Sequence, residues 1–146
     1  MYFSFLFLHI LGASVWAGGH LVLSFVVLPR ALRERSPEIL LDFERRFERL
    51  AIPALVVQIL TGLHLAYTRL PVLSEWFSFK DPNSHMIVTK LMLLFITVVF
   101  ALNAHFRLLP KLNADNLKSM VWHIIPVTVL SVLFILIGVL FRTGGL

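Results

Sequence analysis

Four stretches of this chain are apolar enough and long enough to cross a bilayer: residues 2–28, 51–67, 85–109 and 121–141. A hydrocarbon core of about 30 Å takes roughly 17 to 25 helical residues. Lipid offers no partner to the backbone, so each segment has to satisfy its own amides and carbonyls, which favours helices. Short connections make consecutive helices antiparallel neighbours. The expected fold is all-α, an integral-membrane antiparallel four-helix bundle forming one domain over residues 1–146. Composition agrees, with 58% of the 146 residues hydrophobic, 14% charged and a mean hydropathy of +0.87. That leaves too little polar surface for a soluble domain, and makes the lipid bilayer the first partner. A net charge of +5 would suggest nucleic acid in a soluble chain. Here the basic residues flank apolar runs, where they report topology, and nucleic-acid binding is not expected.

The connections carry turn and cap signals. Pro29 follows the first span, and Ser36 reads as an N-cap with Pro37 at the first helical position. That helix runs through Asp42, Glu44, Arg45, Arg46, Glu48 and Arg49 into the second span as a solvated extension, with Phe43, Phe47 and Leu50 along its apolar side. Pro71 and the Pro82, Asn83, Ser84 cluster bound a loop carrying Trp76 and Phe77, which read as interfacial aromatics. Pro110 closes the third span. The first span lacks a basic leader and a small-residue cleavage pattern and is expected to be retained. Arg30, Arg33, Arg35, Arg45, Arg46, Arg49, Arg107, Lys111 and Lys118 lie at one end of the spans, against Arg69, Lys80, Lys90 and Arg142 at the other. This bias predicts both termini on the periplasmic side of a bacterial inner membrane, in a multi-pass protein.

Five of the six histidines fall inside the spans: His9, His20, His64, His105 and His123. Ionisable groups in hydrocarbon are costly and usually functional. Antiparallel packing sets His9 level with His64 in an outer tier. His20 lies eleven residues after His9, on nearly the same helix face and roughly 16 Å further along. It forms an inner tier with His105 and His123. Two tiers of imidazole on facing helices suit two haems of b type. Gly12, Gly18, Gly19 and Gly62 would leave space beside the rings. Both features also have an ordinary explanation: a membrane histidine can hydrogen-bond a neighbouring helix, and glycine is common where helices approach. His85, beside the polar loop, reads as solvated. Lys90 either snorkels outward or meets a haem propionate or a substrate carboxylate. Cysteine is absent, which removes thiolate ligands, and the four methionines are dispersed. Within the inner tier, His20 with His123 is the favoured pair and His105 the spare group.

The first span, LHILGASVWAGGHLVLSFVVLPR, resembles the opening helix of CopD-like and HemJ-like small membrane proteins. The likeness continues through FERRFERLAIPALVVQILTGLHLA, the lysine of HMIVTKLMLL, the histidine of LNAHFRLLP and the proline of HIIPVTVL. On the HemJ side it implies a haem-containing protoporphyrinogen oxidase and carries over to His9, Lys90 and His105. On the CopD side it implies copper resistance or uptake. His20, His64 and His123 are additions to the HemJ pattern.

Three functional expectations follow. The first is a dihaem b-type membrane cytochrome, a possible oxidoreductase, passing electrons between a quinol or small redox molecule and the other side of the membrane. The second is a HemJ-like enzyme acting on a porphyrinogen, with Lys90 and arginines holding carboxylates. The third is a copper binding or transport protein in which His20, His105 and His123 form a three-imidazole site. The sequence leaves the electron donor and acceptor open, and also whether copies associate as a homo-oligomer.

Overall fold

Each apolar run is helical. In the computed structural model, which describes residues 1–143, α1 covers Tyr2–Glu34, α2 Pro37–Arg69, α3 Pro82–Lys111 and α4 Leu117–Thr143. All four are long and apolar enough to cross a membrane, and no strand occurs among the described residues. The chain is an all-α membrane bundle.

Two helices change pitch. α1 is α-helical to Val22, widens to a π-helix over Leu23–Val27 and resumes at Leu28. α3 widens over Ala104–Leu108 and ends in a 3-10 turn, Leu109–Lys111. Pro29 and Pro110 stand just beyond these wide turns. A proline lacks an amide proton and crowds the carbonyl four residues back, so the hydrogen-bond ladder has to adjust there. Pro29 therefore does not close the first helix, which continues to Glu34 and stops at Arg35, a left-handed residue with φ 50°. Ser36 does hold the N-cap position before Pro37, in extended conformation. Its hydroxyl donates to the Glu38 carboxylate at 2.7 Å rather than capping a backbone amide. Pro82, Asn83 and Ser84 form the first turn of α3, not a loop, and the Asp81 carboxylate accepts from the Asn83 amide at 2.6 Å.

α1 packs along both α2 and α4, and α3 packs on α4; α2 and α3 scarcely touch. Gly12 marks the closest approach of α1 and α2, where an added Cβ would stand 2.9 Å from the Ala54 carbonyl oxygen. Large apolar side chains cover the outside, Phe25 and Phe95 being about three-quarters exposed. That is the surface a hydrocarbon solvent accepts.

The two ends of the bundle differ. At the end carrying the α1–α2 and α3–α4 turns, Leu23, Leu28, Ala31, Leu40, Leu117 and Met120 form a closed core. At the opposite end the apolar cluster is small, built on Leu70, Trp76 and Ile87. Trp76 is buried there and its indole N–H donates to the Leu70 carbonyl at 2.8 Å. It holds the α2–α3 connection inward instead of sitting in the interface. Phe77 next to it is 63% exposed, as an interfacial aromatic would be.

Candidate functional site

His20 on α1 and His123 on α4 are both buried, on two helices that pack together and are tied near His20 by Thr128. His20 follows Trp16 by one helical turn, and its Nδ1 lies 2.8 Å from the Trp16 carbonyl oxygen. A carbonyl can only accept, so the proton sits on Nδ1 and the lone pair on Nε2. Tying one ring nitrogen to a carbonyl while the other stays free is how metal-binding histidines are oriented. The His123 ring lies 5.1 Å from the Phe100 ring.

A layer of hydroxyls backs this pair. Thr128 Oγ1 is 3.2 Å from the His20 carbonyl oxygen and 2.9 Å from that of Ile124. It also bonds Ser24 Oγ. Thr128 has one proton and shares it between carbonyls, so Ser24 supplies the proton of the hydroxyl–hydroxyl bond. Ser131 Oγ donates to the Thr128 carbonyl at 2.7 Å. The indole N–H of Trp16, whose ring lies 4.6 Å from that of His20, is buried without a protein partner. These hydroxyls went unread in the sequence, although Ser24 follows His20 by four residues and so shares its helix face.

His105 does not join the pair. It lies in the π turn of α3, about half exposed, and its Nδ1 is 2.8 Å from a Glu48 carboxylate oxygen on the α2 extension. Among the described residues no three His, Cys, Asp or Glu side chains converge as a metal site. The three-imidazole arrangement of His20, His105 and His123 is therefore not formed, and the interior holds two imidazoles. His105 is kept outside because its π turn carries it toward α2, where the carboxylate is.

The outer histidines also separate. His9 Nδ1 lies 3.0 Å from the Gln58 carbonyl oxygen and 3.1 Å from Thr61 Oγ1, so Nδ1 donates and Nε2 keeps the lone pair. His64 stacks on Phe5 with ring centroids 3.9 Å apart. The two are level, yet His64 follows Gly62 by two residues and so points about 200° round the helix from it. Gly62 adjoins His9, which lines an outer cavity, and His64 is not part of that lining.

Gly12, Gly19 and Gly62 are taken up by packing, whereas Gly18 borders open space. His9 occupies the room beside Gly62, and the Phe47 ring occupies that beside Gly19, where an added Cβ would fall 2.0 Å from a ring carbon. Phe47 also lies edge-on to His20 at 5.5 Å. Trp16 and Phe47 thus fill the space beside His20.

His9 faces a cavity of about 500 Å³ at the outer end of the bundle, walled by all four helices. Lys90, Arg69 and Arg142 also line it. Lys90 thus looks inward, and the two arginines, read from sequence as topology markers, stand at the same mouth. Gln58, the sole glutamine of the chain, lines the cavity with its Oε1 buried and unpartnered. A lone amide in a membrane span was the available signal for it.

Comparison with known proteins shows the family but leaves α1, with His9 and His20, outside the match. No curated protein and no solved structure matches the chain. Residues 41–141 match the family described as Copper resistance protein D. The match begins in the α2 extension and takes in His64, Lys90, His105 and His123. Since it spans more than half of the sequence, this chain belongs to the Copper resistance protein D family.

Proposed function

We propose that this protein handles copper within a bacterial inner membrane, holding one Cu(I) ion as substrate between His20 and His123. The observation that carries the reading is that His20 and His123 are both buried on packed helices, with His20 Nδ1 committed to the Trp16 carbonyl and Nε2 without a hydrogen bond. The family match supports it. A charged ion in hydrocarbon is costly, and two neutral imidazoles add no charge to a monovalent ion. Cu(I) accepts two donors, so the pair is sufficient without a third. The Arg- and Lys-rich closed end supports a cytoplasmic placement for that end and a periplasmic one for both termini.

Haem b is the competing occupant. The aromatic filling around His20 and the occupied sites beside Gly19 and Gly62 favour copper over it.

The test is a titration of purified protein with Cu(I) under reducing conditions against a chromophoric chelator, together with oxidised and dithionite-reduced spectra. One ion per chain is expected, lost in His20→Ala and in His123→Ala and kept in His105→Ala. A Soret band that disappears in those same two variants, with no copper bound by the wild type, would move the pair to haem.

A further inference from the structure

The outer cavity has a charge imbalance that the copper reading leaves unexplained. Lys90 Nζ and the Arg69 guanidinium each lie 5.5 Å from the centroid of the Phe141 ring. Arg142 stands one residue further along α4, with the Tyr2 hydroxyl at 3.5 Å as its partner. Among the described residues none of these three cations forms an ion pair, and no acidic side chain lines the cavity. A single apolar ring gives such cations about 1 kcal/mol each. It does nothing for the repulsion between them, which grows as water is excluded. An anion at the mouth relieves that repulsion.

The rest of the cavity is apolar. Lys90 lies at the level of Gly138, its Nζ 3.6 Å from where a Cβ there would stand. One turn deeper, Leu94 and Phe134 continue the wall. The sparse contact between α2 and α3 leaves room for the cavity between them. The volume of about 500 Å³ is in the range that encloses one small ligand, roughly 300 to 1,000 Å³.

We propose that this cavity binds an amphiphilic anion, a single apolar body bearing a carboxylate or phosphate head, with the head against Lys90, Arg69 and Arg142 and the body against Leu94 and Phe134. This orientation puts the head at the end of the bundle and the body toward its middle, as a lipid of that leaflet would lie. The site is separate from the His20–His123 pair and stands or falls without it.

The experiment uses the full chain in phosphatidylcholine nanodiscs carrying a fluorescent fatty acid. Dodecanoate, dodecyl phosphate, dodecanol, acetate and inorganic phosphate are the competitors. The charged amphiphiles should displace the probe at about tenfold lower concentration than the alcohol, and the small anions should not displace it. Whichever charged amphiphile is stronger identifies the head. Lys90→Gln should weaken the charged amphiphiles about tenfold and leave the alcohol unchanged, Lys90→Arg should restore them, and Ala13→Phe should reduce all binding. Equal displacement by anion and alcohol overturns the proposal, as does displacement by acetate or phosphate alone. An equal loss for both in Lys90→Gln overturns it too, because that would be a structural effect. The helical circular dichroism and thermal unfolding of Lys90→Gln should match the wild type, which confirms that the variant is folded.

Discussion

A Cβ atom on Gly62 would stand 2.9 Å from Cε1 of His9, so the imidazole fills the place that a side chain at position 62 would take. The ring is held there from behind, its Nδ1 donating to the Gln58 carbonyl on the preceding turn of the same helix. Gly62 and Gln58 together therefore fix which nitrogen of His9 faces the cavity. The same device recurs at His20 with a different partner, the carbonyl of Trp16 on its own helix. In both cases the backbone sets the tautomer and leaves Nε2 available.

Gly62→Ala should therefore displace the His9 ring by a few tenths of an ångström and loosen its 3.0 Å bond to Gln58. The expected cost is about 1 kcal/mol, at the low end of overpacking in a tight interior. Unfolding in mixed micelles measures it, and Gly62→Leu should cost more than Gly62→Ala. Equal stability of all three proteins would show that the ring moves freely.

Adjacent glycines on α1 should respond with opposite signs. Gly18 has nothing within 4 Å of an added Cβ, so Gly18→Ala gains helix propensity, up to about 1 kcal/mol. At Gly19 the Phe47 ring is in the way, and Gly19→Ala has to push it from its edge-on contact with His20. A loss of about 1 to 3 kcal/mol is expected there. Two variants of equal stability would contradict the packing described here.

The Ser24–Thr128 bond should be coupled strongly to the His20 backbone. Ser24→Ala leaves Thr128 with its two carbonyl partners, whereas Thr128→Val strands Ser24 and uncovers the His20 carbonyl. The threonine variant should lose more, about 1 to 3 kcal/mol against about 1. The double variant should lose less than the two losses added, because the residues share one bond. Strict additivity would mean that the hydroxyls act independently.

What the sequence could convey depended on whether the information was local. Four spans were readable because a run of about 20 apolar residues has few other folded outcomes. The burial of His20 and of His123 agrees with the helix phase and neighbour order read from the sequence. Phase also separates His64 from the face that carries Gly62, but depth alone had grouped it with His9. The π turns were not readable: each is a single extra residue in the ladder, and Pro29 in the text looks like a stop rather than a widening. His105, expected as the spare group of the inner tier, lies in such a π turn, but its partner Glu48 on the α2 extension was not readable. The cation cluster was hidden for a different reason. Arg69, Lys90 and Arg142 come from three different helices, and each alone is an ordinary end-of-span charge.

The final prediction concerns sidedness, on which both proposals depend for their biological direction. Of the 13 Lys and Arg residues, nine lie at the closed end of the bundle, near the α1–α2 and α3–α4 turns. Positive residues in short connections are retained in the cytoplasm, and acidic residues count little in this rule. The cavity mouth should then face the periplasm. The chain has no cysteine, so single reporters can be introduced without first removing any. Ser74 in the α2–α3 connection and Ala114 in the α3–α4 connection are both exposed. In intact cells with a permeable outer membrane, a membrane-impermeant maleimide should label Ser74→Cys and spare Ala114→Cys, which should react only after lysis. The reverse pattern would invert the protein, and the anionic amphiphile would then enter from the cytoplasmic leaflet. Labelling of both in intact cells would mean that the insertion is mixed and that the charge bias does not decide it.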